Sequence, residues 1–276
     1  VSEKRGAKKW KRVEVNLKDH VKVPVLPIGM SNDYYDEVFN EYLSEVAMDQ
    51  LPPNRPLWEI HIFKYPTKNA AGNVIFKLHH SLGDGYSLMG ALLSCLQRLD
   101  NPSIPLTFPS RQSNLGPNGL INTVYDFGSN ILKSSLIKDD KTPIRSGDDG
   151  VEFRPIVVTT TIFSIDHIKQ IKDKLKVATA RCIYNTLKNS SMAISNVMGP
   201  VEQMALANQP VKGLYFAVAG PPQSLSVTMV SYAGKLRISM VVEKGFIDPD
   251  KFKSCIEYAF EAISKAAKES PAQTKS

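Results

Sequence analysis

Cysteine is scarce: Cys95, Cys182 and Cys255 are the only three in 276 residues. Three scattered cysteines build neither a disulfide framework nor a Cys-rich zinc site, and they read as reduced, intracellular thiols. Long apolar runs are missing too. The longest uncharged stretch, residues 213–234, is rich in serine and broken by Gly220-Pro221-Pro222-Gln223, whereas a spanning helix takes about 20 mostly apolar residues. If the chain meets a membrane, it is expected to lie on it and not to pass through it. It opens on Val1 with no basic-then-apolar leader. No Gly-x-Ser-x-Gly elbow occurs, which argues against a Ser-His-Asp hydrolase.

What is present is globular. Hydrophobic residues make up 42% and charged residues 22%, enough at this length to bury one large core or two small ones. The net charge of +7 is concentrated at the start, where Lys4, Arg5, Lys8, Lys9, Lys11 and Arg12 stand against Glu3 alone. Such an arm suits an anionic lipid surface or nucleic acid, and equally a solvated chain end. No aromatic-interleaved basic patch follows it, so nucleic acid is not expected as a partner.

Alternation predicts strands over 13–17, 57–63, 73–80, 157–163, 214–218, 225–232 and 235–242, the last two joined by a tight Ala233-Gly234 hairpin. Helical spacing predicts a helix over 33–50 capped by Asp33. A second starts at Ser87, with Leu88, Ala91, Leu92, Cys95, Leu96 and Leu99 on one stripe. Further helices are predicted over 120–137 and 165–175. The last runs from Asp248-Pro249-Asp250 to Ala267 with Phe252, Cys255, Ile256, Ala259 and Ile263 inward. Residues 195–200 read as a turn and the Pro/Ser/Asn/Gly-rich residues 101–119 as a linker. Strands, hairpins and helices intermixed in this way place the chain in the α/β class, with mixed α+β sheets.

The chemistry is carried by Asn73-Val-Ile-Phe-Lys-Leu-His79-His80-Ser-Leu-Gly-Asp84-Gly85. Alternation puts Val74, Phe76, Leu78 and His80 on one face and Ile75, Lys77 and His79 on the other, so His80 is expected on the apolar, buried face. A histidine at a strand end beside a Gly-rich break projects into a cleft, and its pKa near neutrality suits proton abstraction. Neighbouring residues that face opposite ways share a metal poorly, and no third His or Cys lies nearby in sequence, so no metal is expected. A lone histidine here would read as a satisfied structural residue. The whole seven-residue pattern does not.

His-His-x-x-x-Asp-Gly over residues 79–85 resembles the signature of CoA-dependent acyltransferases of the chloramphenicol acetyltransferase and condensation-domain type. Pro56-Leu57-Trp58-Glu59 lies upstream, Leu82-Gly83 within it, and Ser195-Asn196-Val197-Met198-Gly199-Pro200 downstream. With these the chain resembles the wax ester synthase/diacylglycerol acyltransferase family in its plant-like form, and Gly220 to Phe252 is similar to that family's C-terminal domain. The resemblance implies a two-domain, chloramphenicol-acetyltransferase-like fold. It implies acyl transfer from acyl-CoA, as co-substrate, to a long-chain alcohol or diacylglycerol, with no bound cofactor. His80 would be the general base for direct attack on the thioester, with no acyl-enzyme. His79, Asp84 and Gly85 would shape the site, Asp84 through an ion pair and the turn, Gly85 by letting backbones approach closely. Trp58 is either core or a wall of the substrate channel. Asn196 is either a turn-former or a polar group facing that channel. The alternative function is an inactive or truncated relative that only binds lipid or acyl-CoA.

Residues 1–100 are thus expected to form a partial N-terminal acyltransferase domain, 101–150 a linker with an amphipathic segment, 151–268 a partial C-terminal domain, and 269–276 a disordered tail. In the family a helix like 165–175 leads into an Asn-Asp motif. None follows it here, so a missing segment is expected at Val177-Ala178. The implied location is the cytosolic face of the endoplasmic reticulum membrane, with the cell membrane as a second possibility, and peripheral attachment through the basic arm and residues 120–137.

Overall fold

The computed structural model describes residues 2–4, 7–9, 12–106, 142–146, 148, 150–164, 166, 191–220 and 223–269. The expected helix over 120–137, nearly all of that over 165–175, the Val177-Ala178 junction and residues 270–276 lie outside the described residues.

In the N-terminal part, β1 (Ser2–Lys4) and β2 (Ala7–Lys9) form an antiparallel hairpin within the basic arm. The strand expected over 13–17 is not formed. Val13, Val15 and Leu17 are exposed, and Asn16 instead caps α1 (Leu17–His20) by accepting from Lys18 N at 3.2 Å. A short β3 (Val21–Lys22) follows, then α2 (Asn32–Met48), β4 (Trp58–Phe63) and β5 (Asn73–Leu78). The cap of α2 is Ser31, whose hydroxyl accepts from Tyr34 N at 3.2 Å; Asp33 sits in the first turn, paired with Lys68 at 2.5 Å. β3 runs parallel to β4, and β4 antiparallel to β5 in the register Trp58↔Leu78. Tyr35 and Phe39 of α2 pack on Phe63, with Ile75 against them, so one face of this small sheet is covered by α2.

Next come α3 (Gly85–Ser94) and β6 (Gln97–Arg98), then β7 (Ile156–Ser164), β8 (Ala193–Met198), β9 (Met204–Leu206), β10 (Gln209–Pro210), β11 (Leu225–Tyr232), β12 (Lys235–Glu243) and α4 (Pro249–Glu269). The larger sheet has the order β7-β12-β11-β8, antiparallel except for the parallel β8–β11 edge. β-branched residues dominate the edge strand β7, and the central strands β11 and β12 are buried along most of their length. Leu225, Val227, Met240, Val242 and Ile247 form its core, with Phe252 and Ile256 of α4 against them. Asp248 caps α4 by accepting from Lys251 N at 2.9 Å. The inward stripe of α4 is turned from the expected one. Ser264 and Ala267 are buried, whereas Cys255, Ala259 and Ile263 are exposed.

Two further expectations fail on this sheet for physical reasons. Residues 195–198 are strand and not turn, because their backbone completes a ladder with β11. Residues 214–218 join no ladder; they cross the sheet's face, where Thr228 Oγ1 donates to Phe216 O and the Arg237 guanidinium lies 5.5 Å over the Tyr215 ring. Gly199 follows β8 where only glycine fits: a Cβ there would sit 2.1 Å from Ser231 O. The β11–β12 hairpin turns through Ala233 (φ 46°) and Gly234 (φ 76°), as its sequence predicts. Alanine in the left-handed region costs about 1 kcal/mol. Ala233→Asn is therefore expected to raise the urea midpoint at unchanged m, by about 1 kcal/mol in stability.

Candidate active site

β5 stops at Leu78, two residues short of the predicted end, because the next residues close a turn. His79 N still donates to Leu57 O at 3.1 Å, which extends the β4 pairing by one residue. Leu82 N then donates to His79 O at 2.9 Å, and residues His80–Leu82 form a single 3-10 turn. His80 is therefore not the last residue of a strand, and it does not share the face of Val74, Phe76 and Leu78. Both histidines are exposed.

Their surroundings differ. His79 Nδ1 accepts from Ser81 N at 3.0 Å and lies 2.7 Å from Ser81 Oγ. A ring nitrogen that accepts a backbone N–H carries no proton, so His79 is held with its proton on Nε2 and is committed to the turn. Among the described residues, no group hydrogen-bonds the His80 imidazole.

Asp84 caps α3, its Oδ1 accepting from Ser87 N at 2.8 Å. That bond holds its carboxyl below the usual carboxylate range, with a smaller contribution from nearby His80. Among the described residues Asp84 has no ion pair, so its part in the turn is that of a helix cap. Asp84→Ala is expected to cost about 1 kcal/mol, and Asp84→Asn much less because asparagine caps nearly as well; thermal unfolding of the two variants checks this. Close approach is not the reason for Gly85, where an added Cβ would meet nothing within 4 Å. The crowded glycine is Gly83, whose Cβ would stand 2.9 Å from Ser87 Cβ.

Trp58 pairs with Leu78 across β4–β5 and stacks on His20, ring centroids 4.2 Å apart, so it is packed beside the histidine turn. Asn196 is an exposed residue in the middle of β8, not a turn-former. No hydrogen bond among the described residues links it to residues 79–84. The two motifs nonetheless meet at one joint. Met89 and Leu93 of α3 are buried with Met204 and Tyr232, and Val197, beside Asn196, packs against that cluster. β6 pairs with β9, and Arg98 reaches Glu202 at 3.3 Å. Tyr232 Oη accepts from Met204 N at 2.9 Å and donates to Val211 O at 2.7 Å, which fixes this region to the larger sheet. The predicted stripe on α3 is rotated accordingly, with Met89 and Leu93 inward and Ala91 and Cys95 exposed.

A buried polar cluster beside the turn has no counterpart in the sequence expectations. Glu59 is 4% exposed and His61 6%, both facing α2. Arg55 lies 3.4 Å from Glu59, His61 Nε2 lies 3.3 Å from Glu59 Oε2, and Tyr42 Oη is 2.7 Å from His61 Nδ1. Lys77 donates to Asp49 O at 2.5 Å. Burial lowers the His61 pKa more than Glu59 raises it, and burial also lowers that of Lys77. Among the described residues, no three His, Cys, Asp or Glu side chains converge on a point that could hold a metal ion, and no helix is long and apolar enough to cross a membrane.

A histidine turn at the joint of two sheet-bearing halves can now be set beside known proteins. The family model described as the wax ester synthase/diacylglycerol acyltransferase catalytic domain matches residues 3–121, and the WS/DGAT C-terminal domain matches residues 162–264. The chain belongs to this family. Wax ester synthase/diacylglycerol acyltransferase 3 of Arabidopsis thaliana is 32% identical over 187 residues, which cover 62% of this chain and 38% of that protein. Wax ester synthase/diacylglycerol acyltransferase 11 from the same plant is 29% identical over 190 residues, 61% of this chain and 38% of the relative. The match thus spans under two fifths of these curated relatives' length. The fold is that of the wax ester synthase/diacylglycerol acyltransferase from Marinobacter aquaeolei VT8. The TM-score is 0.63 at 13% identity, over 92% of this chain and 81% of that one. The expected mixed α/β fold is therefore observed.

Proposed function

We propose that this family member is an acyl-CoA-dependent O-acyltransferase that esterifies a long-chain alcohol or diacylglycerol. The observation that carries the reading is the contrast within the histidine pair: His79 is consumed by the turn, while the His80 imidazole is exposed and, among the described residues, hydrogen-bonded by no group. The neutral His80 ring takes the proton of the acceptor hydroxyl as its oxygen attacks the thioester carbonyl. The tetrahedral intermediate collapses with cleavage of the C–S bond, and the leaving CoA sulfur takes the proton back from the imidazolium. The enzyme ends unchanged, with no acyl group on the protein. Peripheral attachment to the cytosolic face of the endoplasmic reticulum, or to the cell membrane, accords with lipid substrates that are not free in water.

The test is ester formation from labelled acyl-CoA with hexadecanol or diacylglycerol dispersed in detergent. Acceptor-dependent product supports the proposal. Retained acyl-CoA binding without product replaces it with the reading of a lipid- or acyl-CoA-binding chain.

A further inference from the structure

The segment between β3 and α2, Val23-Pro-Val-Leu-Pro-Ile-Gly-Met30, is pinned from below by two tyrosines. Tyr65 Oη accepts from Leu26 N at 2.6 Å and donates to Leu26 O at 3.1 Å. Tyr35 Oη donates to Pro27 O at 2.6 Å and accepts from Met30 N at 3.2 Å. Leu26 packs against the cluster of Tyr35, Phe39 and Phe63, and Pro24 and Pro27 each restrict φ. A loose loop would fold its apolar side chains back. This one holds them out: Val25 is 90% exposed and Ile28 93%, with Val23 and Met30 also exposed. Single exposed apolar residues are ordinary on a protein surface, but four in eight residues of a braced loop form a contact surface.

Charge decides what that surface meets. Residues 1–30 hold Lys4, Arg5, Lys8, Lys9, Lys11, Arg12, Lys18 and Lys22 against Glu3, Glu14 and Asp19, which is five of the chain's seven net positive charges. Asp33, just beyond, is paired with Lys68. Asp36 and Glu37 of α2 are the nearest acids in sequence left over. An apolar tip following a basic stretch fits the boundary between headgroups and acyl chains of an anionic bilayer. We propose that Val25 and Ile28 insert into an anionic lipid surface while Arg12, Lys18 and Lys22 contact its phosphates. The inference rests on the reading of an acyltransferase with lipid substrates, and it names the surface through which the chain reaches them.

The test uses the whole chain with phosphatidylcholine/phosphatidylserine vesicles. Val25→Asp/Ile28→Asp is expected to lower vesicle partitioning at least tenfold, since each buried aliphatic side chain contributes substantially to insertion. Both residues are exposed, so the thermal unfolding midpoint should stay that of the parent. Ile28→Trp emission is expected to be quenched by brominated lipid beyond the level set by Trp10 and Trp58 in the parent. Partitioning of the double variant equal to the parent overturns the proposal. So does an unquenched Trp at position 28 in vesicle-bound protein, or no binding of the parent to anionic vesicles. Ester formation in detergent separates this from the activity: it should persist in Val25→Asp/Ile28→Asp, and its absence from the parent would count against the acyltransferase reading alone.

Discussion

Replacing His80 with alanine is expected to reduce ester formation by about 10²–10⁴-fold, the usual cost of losing a general base. Among the described residues, nothing hydrogen-bonds that ring. Its removal should leave the turn, the capped helix and the unfolding midpoint intact. His79→Ala should behave in the opposite way. It removes the acceptor for Ser81 N, so the loss falls on the turn and shows as a lower midpoint, with a smaller fall in rate. Initial rates with acyl-CoA and hexadecanol, measured beside thermal unfolding of both variants, separate the two roles. A His80→Ala variant as active as the parent would remove the base from the mechanism.

The second large effect is on stability. Glu59→Ala is expected to cost about 3 kcal/mol, the lower end of the range for breaking a buried pair, because Arg55 remains 29% exposed at its side chain. Loss of the carboxylate strands the Arg55 guanidinium, leaves His61 beside Tyr42 alone, and takes from half-buried Lys77 an attractive charge. Urea unfolding at pH 7 measures it. The same cluster gives a pH dependence. Burial holds the His61 pKa below its usual value of about 6.5. In mild acid the unfolded chain takes up the proton that the folded chain declines, so the unfolded state binds more protons and stability rises with pH. This contribution is complete above about pH 6.5 and is lost progressively as pH falls towards the folded-state pKa.

Much of the architecture was legible. The β4–β5 hairpin, α2, the β11–β12 hairpin at Ala233-Gly234 and the Asp248 cap of α4 all follow from local periodicity and turn chemistry. The errors concern which face is covered. Trp58-Glu-Ile-His-Ile-Phe63 alternates, and alternation separates two faces without saying which one another element will cover. Here α2 covers the face of Glu59, His61 and Phe63, so the polar positions are inside and paired. The same ambiguity turned the inward stripes of α3 and α4. Within residues 79–85, the strand end at Leu78 and the turn that carries His80 were not legible. The pleat was extended through it, although Asp84 is a cap signal three residues before Ser87 and the chain must leave the strand to reach a helix there. The turn alternative for Asn196 fails because Ser195-Asn196 reads locally as a turn, and only the distant β11 partner makes it strand.

Helix α3 begins at the histidine turn and ends in a core built largely from residues more than 100 positions later, Met204 and Tyr232. Ten residues make it a rod about 15 Å long. One end carries Asp84 and, through the turn, His80; the other is clasped by β6 pairing with β9. The rod is a lever between the two halves of the molecule. If one half slides against the other, the displacement reaches the His80 imidazole through a stiff arm and one short turn. The position of His80 and the width of the joint are then a single mechanical coordinate.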